Sequence, residues 1–319
     1  MNITPILLTC TVLLSRSWAA DAWKERAATL LASRTNQLTK VLGRPISQPT
    51  HAGAKTNDAG DVSYWFSIES LSFDLDAAGG SVAFAVDHRV NVGPRVEEFR
   101  QGKRPEPKQN EVGMRHTAVG IVTNLVGPIQ GFMRVATTAP ITNWGLQSNG
   151  FAGLTRTWSF TWQRFERDRM VPGEFMLVTL DDDTGNFRSF LNRVRAENYV
   201  QDDRPLVPAA EIPKKVEAHW REWSARIRGP KAPCHVYFAD EPVLVAVSPA
   251  LLTKVELARQ PKPQFRDGKR VIRLAYLVRA QLLEELRDPA KLKAETNDMW
   301  HRLLWDAHTG QRMEHGSLY

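Results

Sequence analysis

One short pattern constrains this chain more than any other, because it occurs three times. The copies are Leu75-Asp76-Ala77-Ala78-Gly79-Gly80-Ser81-Val82, Leu180-Asp181-Asp182-Asp183-Thr184-Gly185-Asn186-Phe187 and Trp305-Asp306-Ala307-His308-Thr309-Gly310-Gln311-Arg312. Each reads apolar, Asp, two residues, Gly or Thr, then Gly. Each follows a strand-like run and precedes another extended segment. The chemistry of the pattern is a turn. Asp accepts hydrogen bonds from backbone N–H groups two or three residues on, and Gly takes the left-handed conformation that a hairpin bulge demands. A metal-binding reading of Asp181-Asp182-Asp183 fails on spacing, since a calcium loop needs alternating ligands and a distant Glu.

The flanking strands are legible as period-two alternation with one wet face. Tyr64, Phe66 and Ile68 alternate with Ser63, Ser67 and Glu69; Leu71, Phe73 and Leu75 alternate with Ser72, Asp74 and Asp76. Trp158, Phe160 and Trp162 repeat the pattern, and 175–180 forms the next strand. Late in the chain, 271–278 and 302–305 are the corresponding strands, separated by a polar insertion of helical character at 281–297. A helix precedes the first hairpin, with Trp23, Ala27, Leu30, Leu31, Leu38, Val41 and Leu42 near helical spacing and Gly43 as its stop. Another precedes the third hairpin, with Val216, Trp220, Trp223 and Ile227 as one stripe, ended by Gly229-Pro230. The stretch 111–126 carries Gly113, Gly120 and many β-branched residues, and periodicity does not separate helix from strand there.

Candidate linkers at 101–109 and 201–208 divide the chain into three units, 21–100, 110–200 and 205–319. By element order the fold class is α+β: tandem small modules, each a helix packed on an antiparallel β-sheet. The spacing between turns is uneven, so these are diverged modules rather than a solenoid.

Composition places the chain among ordinary folded proteins. Of its 319 residues, 42% are hydrophobic and 24% charged, which argues against a mostly disordered chain. The net charge of +7 allows anionic partners but names none. Residues 1–20 read as a secretory signal peptide: 6–14 is a short apolar stretch, and Ser17-Trp18-Ala19-Ala20 offers small residues for cleavage. The stretch is too short to span a bilayer, and no other segment reaches the length of a transmembrane helix. The expected location is secreted or periplasmic, which argues against a nucleic-acid partner. Removal of the signal takes Cys10 with it and leaves Cys234 alone, a small core residue rather than half of a disulfide.

No catalytic constellation is visible. There is no Gly-x-Ser-x-Gly elbow and no Gly-rich phosphate loop. Cys234 and His235 are adjacent, whereas a catalytic Cys/His pair meets across a fold. His301, His308 and His315 lie near Asp306 and Glu314 but match no zinc spacing. Asp87-His88 and Glu217-His219 are single pairs without a nucleophile. The expectation is therefore no catalytic residue, no metal and no cofactor. Arg156, Arg164, Arg167 and Arg169 beside Trp158 and Trp162 suggest a basic, aromatic surface for an anionic envelope polymer or glycan.

Two stretches resemble PepSY-type domains, the helix-plus-sheet modules of thermolysin-like protease propeptides and of free-standing secreted proteins. One is 158–195, with its aromatic strand, Arg164, Arg167, Val171 and the Asp181 turn. The other runs from Arg273-Leu274-Ala275-Tyr276-Leu277-Val278 to Trp300 and to Leu303-Leu304-Trp305-Asp306-Ala307-His308-Thr309-Gly310. The helix at 24–46 and its hairpin resemble a weaker third copy, with Gly79-Gly80 in place of Thr-Gly. The likeness covers about half the chain and rests on motifs of low specificity. No His-Glu-x-x-His occurs, and no protease sequence follows the third hairpin before Tyr319, so a propeptide role in cis is not expected. The resemblance implies a non-enzymatic protein that docks its sheet and surface onto a protein partner, a protease being the class it points to. The alternative is the envelope-associated module that binds an anionic polymer or glycan.

Overall fold

The period-two runs become strands of two sheets, and the 3.6-period runs become the helices that cover them. The structure is a computed structural model. It describes residues 4–56, 62–78, 80–88, 108–131, 133–146, 152–194, 199–201, 204–248, 251–259, 265–266, 269–284, 287–288 and 300–315. The chain divides into two units: Met1–Trp162 with Phe175–Val194, and Gln163–Glu174 with Arg195–Tyr319.

The first unit runs α1 (Thr4–Leu42), β1 (His51–Thr56), β2 (Val62–Ile68), β3 (Leu71–Asp76), β4 (Val82–Asp87), then α2 (Glu111–Val126), β5 (Met133–Leu146), β6 (Ala152–Glu166) up to Trp162, β7 (Arg169–Asp181) from Phe175, and β8 (Phe187–Asn192). A helix followed by four strands thus occurs twice. The eight strands form one sheet in the order β1-β2-β3-β4-β8-β7-β6-β5. The two four-strand halves meet at their last strands, where Phe84, Ala85 and Val86 pair antiparallel with Leu191, Phe190 and Ser189. Read outward from that joint, each half counts down to its first strand.

One face of this sheet is the core. Tyr64, Phe66, Ile68, Leu71, Phe73 and Leu75 are buried as their alternation requires, with Trp158, Phe160, Trp162, Val178, Leu180 and Phe190 from the other half. From α1, Ala27 and Leu38 are buried, and Trp23, Leu30, Leu31, Val41 and Leu42 pack partly buried against the same core. Trp23 stacks on Tyr64, ring centroids 6.1 Å apart. Gly43, at φ +65°, ends the helix as its left-handed stop.

The undecided stretch 111–126 is a helix. Asn110 caps it, its side-chain oxygen accepting from the Gly113 N–H at 2.8 Å, and Met114, Ala118, Ile121, Val122 and Leu125 face the core. Its glycines cost helix propensity. The cap and the buried row outweigh that cost.

The second unit holds β9 (Tyr199–Gln201), a 3-10 turn (Ala209–Glu211), α3 (Ile212–Arg228), β10 (His235–Phe238), β11 (Val243–Val247), α4 (Lys254–Arg259), β12 (Phe265–Arg266), β13 (Lys269–Leu283), β14 (His301–Asp306) and β15 (Arg312–Met313). The 15-residue β13 is its spine. It pairs antiparallel with β14, with β10 and β11 one after the other, and with β12, and in parallel with β9. Between Phe238 and Val243 the chain bulges, and the Asp240 carboxylate there takes the Arg279 guanidinium. The insertion at 281–297 is not helical at its start: residues 281–283 continue β13, and 285–286 and 289–297 lie outside the described residues. On α3 the buried row is Ile212, Val216, Trp220 and Ser224. Ile227, placed in the stripe by spacing, lies on the same helical face but is 61% exposed, one residue before the helix ends at Arg228.

Candidate functional site

The three Asp turns share one geometry. The Asp76, Asp181 and Asp306 N–H groups donate to the carbonyls of Ser81, Asn186 and Gln311 at 2.8–2.9 Å, and the N–H groups of Gly80, Gly185 and Gly310 donate back to the Asp carbonyls at 2.7–2.8 Å. Each Asp side chain caps the turn it opens. Asp76 accepts from Ala78 N–H, Asp181 from Asp183 and Thr184 N–H, and Asp306 from His308 and Thr309 N–H. Thr184 and Thr309 hydroxyls accept in turn from Asn186 and Gln311 N–H. The three glycines have φ of +64°, +73° and +66°. Gly79 of the first copy lies outside the described residues.

The space around the three glycines differs. Besides the positive φ, a Cβ at Gly80 would come 2.7 Å from Leu30 of α1, and one at Gly310 would come 2.8 Å from Lys215 of α3. At Gly185 the nearest neighbour is Met114 of α2, at 3.8 Å. Each turn therefore packs beneath the helix of its own module.

The acidic residues of these turns are occupied structurally. Burial works to raise the Asp181 carboxyl, but the Arg188 guanidinium at 2.6 Å and the Thr184 N–H and hydroxyl offset it, holding the group below the usual carboxylate range. Asp182 is fully buried and accepts from the Trp158 indole N–H at 2.7 Å and from the backbone N–H of Lys108 and Gln109. It ties the lead-in of α2 to the second turn. In the third turn Ala307 stands at that place, and its carbonyl does the same for Leu206 and Val207 ahead of α3.

The basic, aromatic surface expected in the middle of the chain is not assembled as one. Trp158 and Trp162 are 5% and 3% exposed, so neither offers a stacking face. Arg164 is buried in an ion pair with Glu174 at 2.9 Å, with Glu166 at 3.3 Å. Arg167 sits with Asp168 in the β6–β7 turn, both at positive φ. The side chain of Arg156 lies outside the described residues.

Nor do the histidines gather. Among the described residues no group of three or more His, Cys, Asp or Glu is placed to hold a metal. His301 lies edge-on to Trp220, and His308 Nδ1 is 3.9 Å from the Asp306 carboxylate, whose Oδ1 already serves the turn. His219 lies edge-on to Trp305 and accepts at Nε2 from Arg312 at 3.1 Å. Asp87 accepts from the Ser70 hydroxyl, and His88 meets Ser72. Glu217 pairs with Arg221 one turn along the helix. Cys234 is a half-buried free thiol, and burial pushes its pKa up, away from nucleophilic chemistry.

What the first unit does present is a sheet edge. β1 stands at the end of the eight-stranded sheet, paired with β2 alone among the described strands. Five of its six residues are exposed. Its residues His51-Ala52-Gly53-Ala54-Lys55-Thr56 are small or polar, so backbone rather than side chain dominates the edge. On the face away from the core, the Trp65 indole of β2 lies across Gly53, where any Cβ would overlap it, and Trp65 remains 38% exposed. Lys55 reaches across to Asp74 on the same face. The alternation on β2 foretells an outward Trp65, but the outermost place of β1 has no sequence signal.

No protein-family model and no curated protein matches this chain. Two solved structures are similar to it. One is the C-terminal domain of Bacillus megaterium YpeB, 10% identical, with 90% of this chain and 97% of that chain covered and a TM-score of 0.39. The other is an uncharacterized protein from Eubacterium rectale, 11% identical, with 88% and 80% covered and a TM-score of 0.46. Both scores are too low to assign a fold or a function.

Proposed function

We propose that this chain is a non-enzymatic, secreted or periplasmic protein that binds another protein by β-strand addition at β1. The exposed, small-residue edge of the eight-stranded sheet carries the reading. An unpaired edge is a row of backbone donors and acceptors, and an extended segment of a partner satisfies them while its alternate side chains find pockets. A strand laid along β1 brings a side chain beside the exposed Trp65 indole, which supplies an apolar contact at the edge. The resemblance of the turn-bearing modules to PepSY domains makes a protease the first partner class to test. The non-enzymatic part of the reading is supported by the structural occupation of Asp181, Asp182, Glu174 and Asp306 and by the raised thiol of Cys234.

The test is capture of secreted and envelope proteins on the immobilised full chain at low and moderate salt. Each retained protein is then offered the Ala54→Pro and Lys55→Pro variants. Successive strand residues alternate in the direction of their N–H, so one of the two prolines removes an outward donor and the other an inward one. The reading expects a protein held at both salts and lost from the outward-proline variant with the fold intact. Retention by both folded variants, or capture only of polysaccharide that modest salt releases, overturns it.

A further inference from the structure

The third hairpin meets α3 through a contact that depends on a neutral histidine. His219 projects from α3 onto β14 and β15. Its ring stands edge-on to Trp305, at 5.9 Å between centroids, and its Nε2 faces Arg312 Nη1 at 3.1 Å. Arginine only donates, so Nε2 must carry the lone pair and the ring must be neutral. We propose that His219 is a pH-sensitive latch that holds the β14–β15 hairpin against α3 at neutral pH and releases it on protonation.

The surrounding charges determine the sign. From β15 comes Arg312. From α3 itself come Arg226 and Glu222, and Lys215 lies over Gly310 of the turn. β14 contributes the uncharged Trp305 at this contact, and the Asp306 carboxylate in the turn is committed to the His308 and Thr309 N–H groups. Two cations, Arg312 and Arg226, thus act on His219 against one anion, Glu222, before it takes a proton. Protonation removes the acceptor for Arg312 and adds a third cation beside it. Burial and Arg312 together hold the imidazole below its ordinary value of 6.5, with Glu222 opposing. The released hairpin therefore takes up the proton more readily than the docked one, and docking weakens as pH falls through the ordinary histidine range. This device is independent of the binding proposed at β1.

Hydrogen exchange of the full chain, corrected for intrinsic rates, reads the latch between about pH 7.5 and about pH 5. The expected result is a loss of protection at acidic pH in 212–228 and 301–313, with the second hairpin at 175–192 unchanged. His219→Gln keeps an acceptor for Arg312 without titrating, and its protection is expected to stay level across the range. The same acid loss in that variant, or no selective loss in the natural chain, overturns the proposal. If the variant fails to fold at neutral pH, an NMR titration of His219 in the natural chain decides. A midpoint below that of free histidine, tracked by the Gly310 amide, is expected; an ordinary midpoint or an unresponsive Gly310 amide overturns the latch.

Discussion

At the scale of single residues, the three turn glycines separate two costs that usually travel together. All three hold positive φ, which costs an L-residue of order 1–2 kcal/mol. Only Gly80 also lies hard against a packed apolar side chain, Leu30; Lys215 over Gly310 is flexible, and Met114 leaves room at Gly185. Alanine substitution should therefore lower stability at all three sites and most at Gly80. Urea midpoints of the three variants check this, and an equal loss at Gly80 and Gly185 would show that backbone strain alone sets the cost. Asp181 makes a second residue-scale prediction. Its carboxyl is lowered from the ordinary 3.8, so its contribution is full above that value and is lost as pH falls below it toward the lowered one. Asp181→Asn should flatten the acid limb of the first unit's stability profile and cost stability at neutral pH through the lost Arg188 pair. These residues were legible in the sequence, because a turn is a local device whose parts lie within six positions of one another.

At the scale of elements, legibility depended on whether period and propensity agreed. In α1 they agree, and every residue assigned to its apolar face lies on the core. In α2 they conflict: Gly113, Gly120 and the β-branched residues speak against a helix, while the 114-118-121-122-125 spacing and the Asn110 cap speak for it. Tertiary burial decides such conflicts, and it decided for the helix. In α3 the spacing 216-220-223-227 marks the face that packs inward, and Val216 and Trp220 are buried on it, while Trp223 and Ile227, near the end of the helix, are half-buried and exposed. The structure gives this a measurable consequence. Trp220→Ala removes a buried indole and should cost on the order of 3–5 kcal/mol. Ile227→Ser, at an exposed position, should stay within about 0.5 kcal/mol. Comparable losses from the two, by thermal or urea unfolding of the second unit, would show that the packed face continues to the end of the helix.

At the scale of the whole chain, the α+β class was legible and the assembly was not. The repeated turns announce repeated modules, yet nothing in the sequence says that two helix-plus-four-strand runs share one sheet through β4 and β8. That joint is a long-range pairing of ordinary strand residues, without turn or cap chemistry to mark it. The arrangement also decides which edges remain. By spending β4 and β8 on each other, the first unit leaves β1 and β5 outermost, and β1 is the short, small-residue edge on which partner binding is proposed. The buried state of Trp158, Trp162 and Arg164 belongs to this scale as well, since residues that look like a basic, aromatic surface in sequence are core and ion pair in the fold.

The measurement that bears most directly on the proposed function is a hydrogen-exchange footprint of the full chain with and without its captured protein partner. The account predicts new protection in 51–56, with the turns at 181–185 and 306–310 unchanged. Protection that leaves 51–56 untouched and falls on another surface would contradict it.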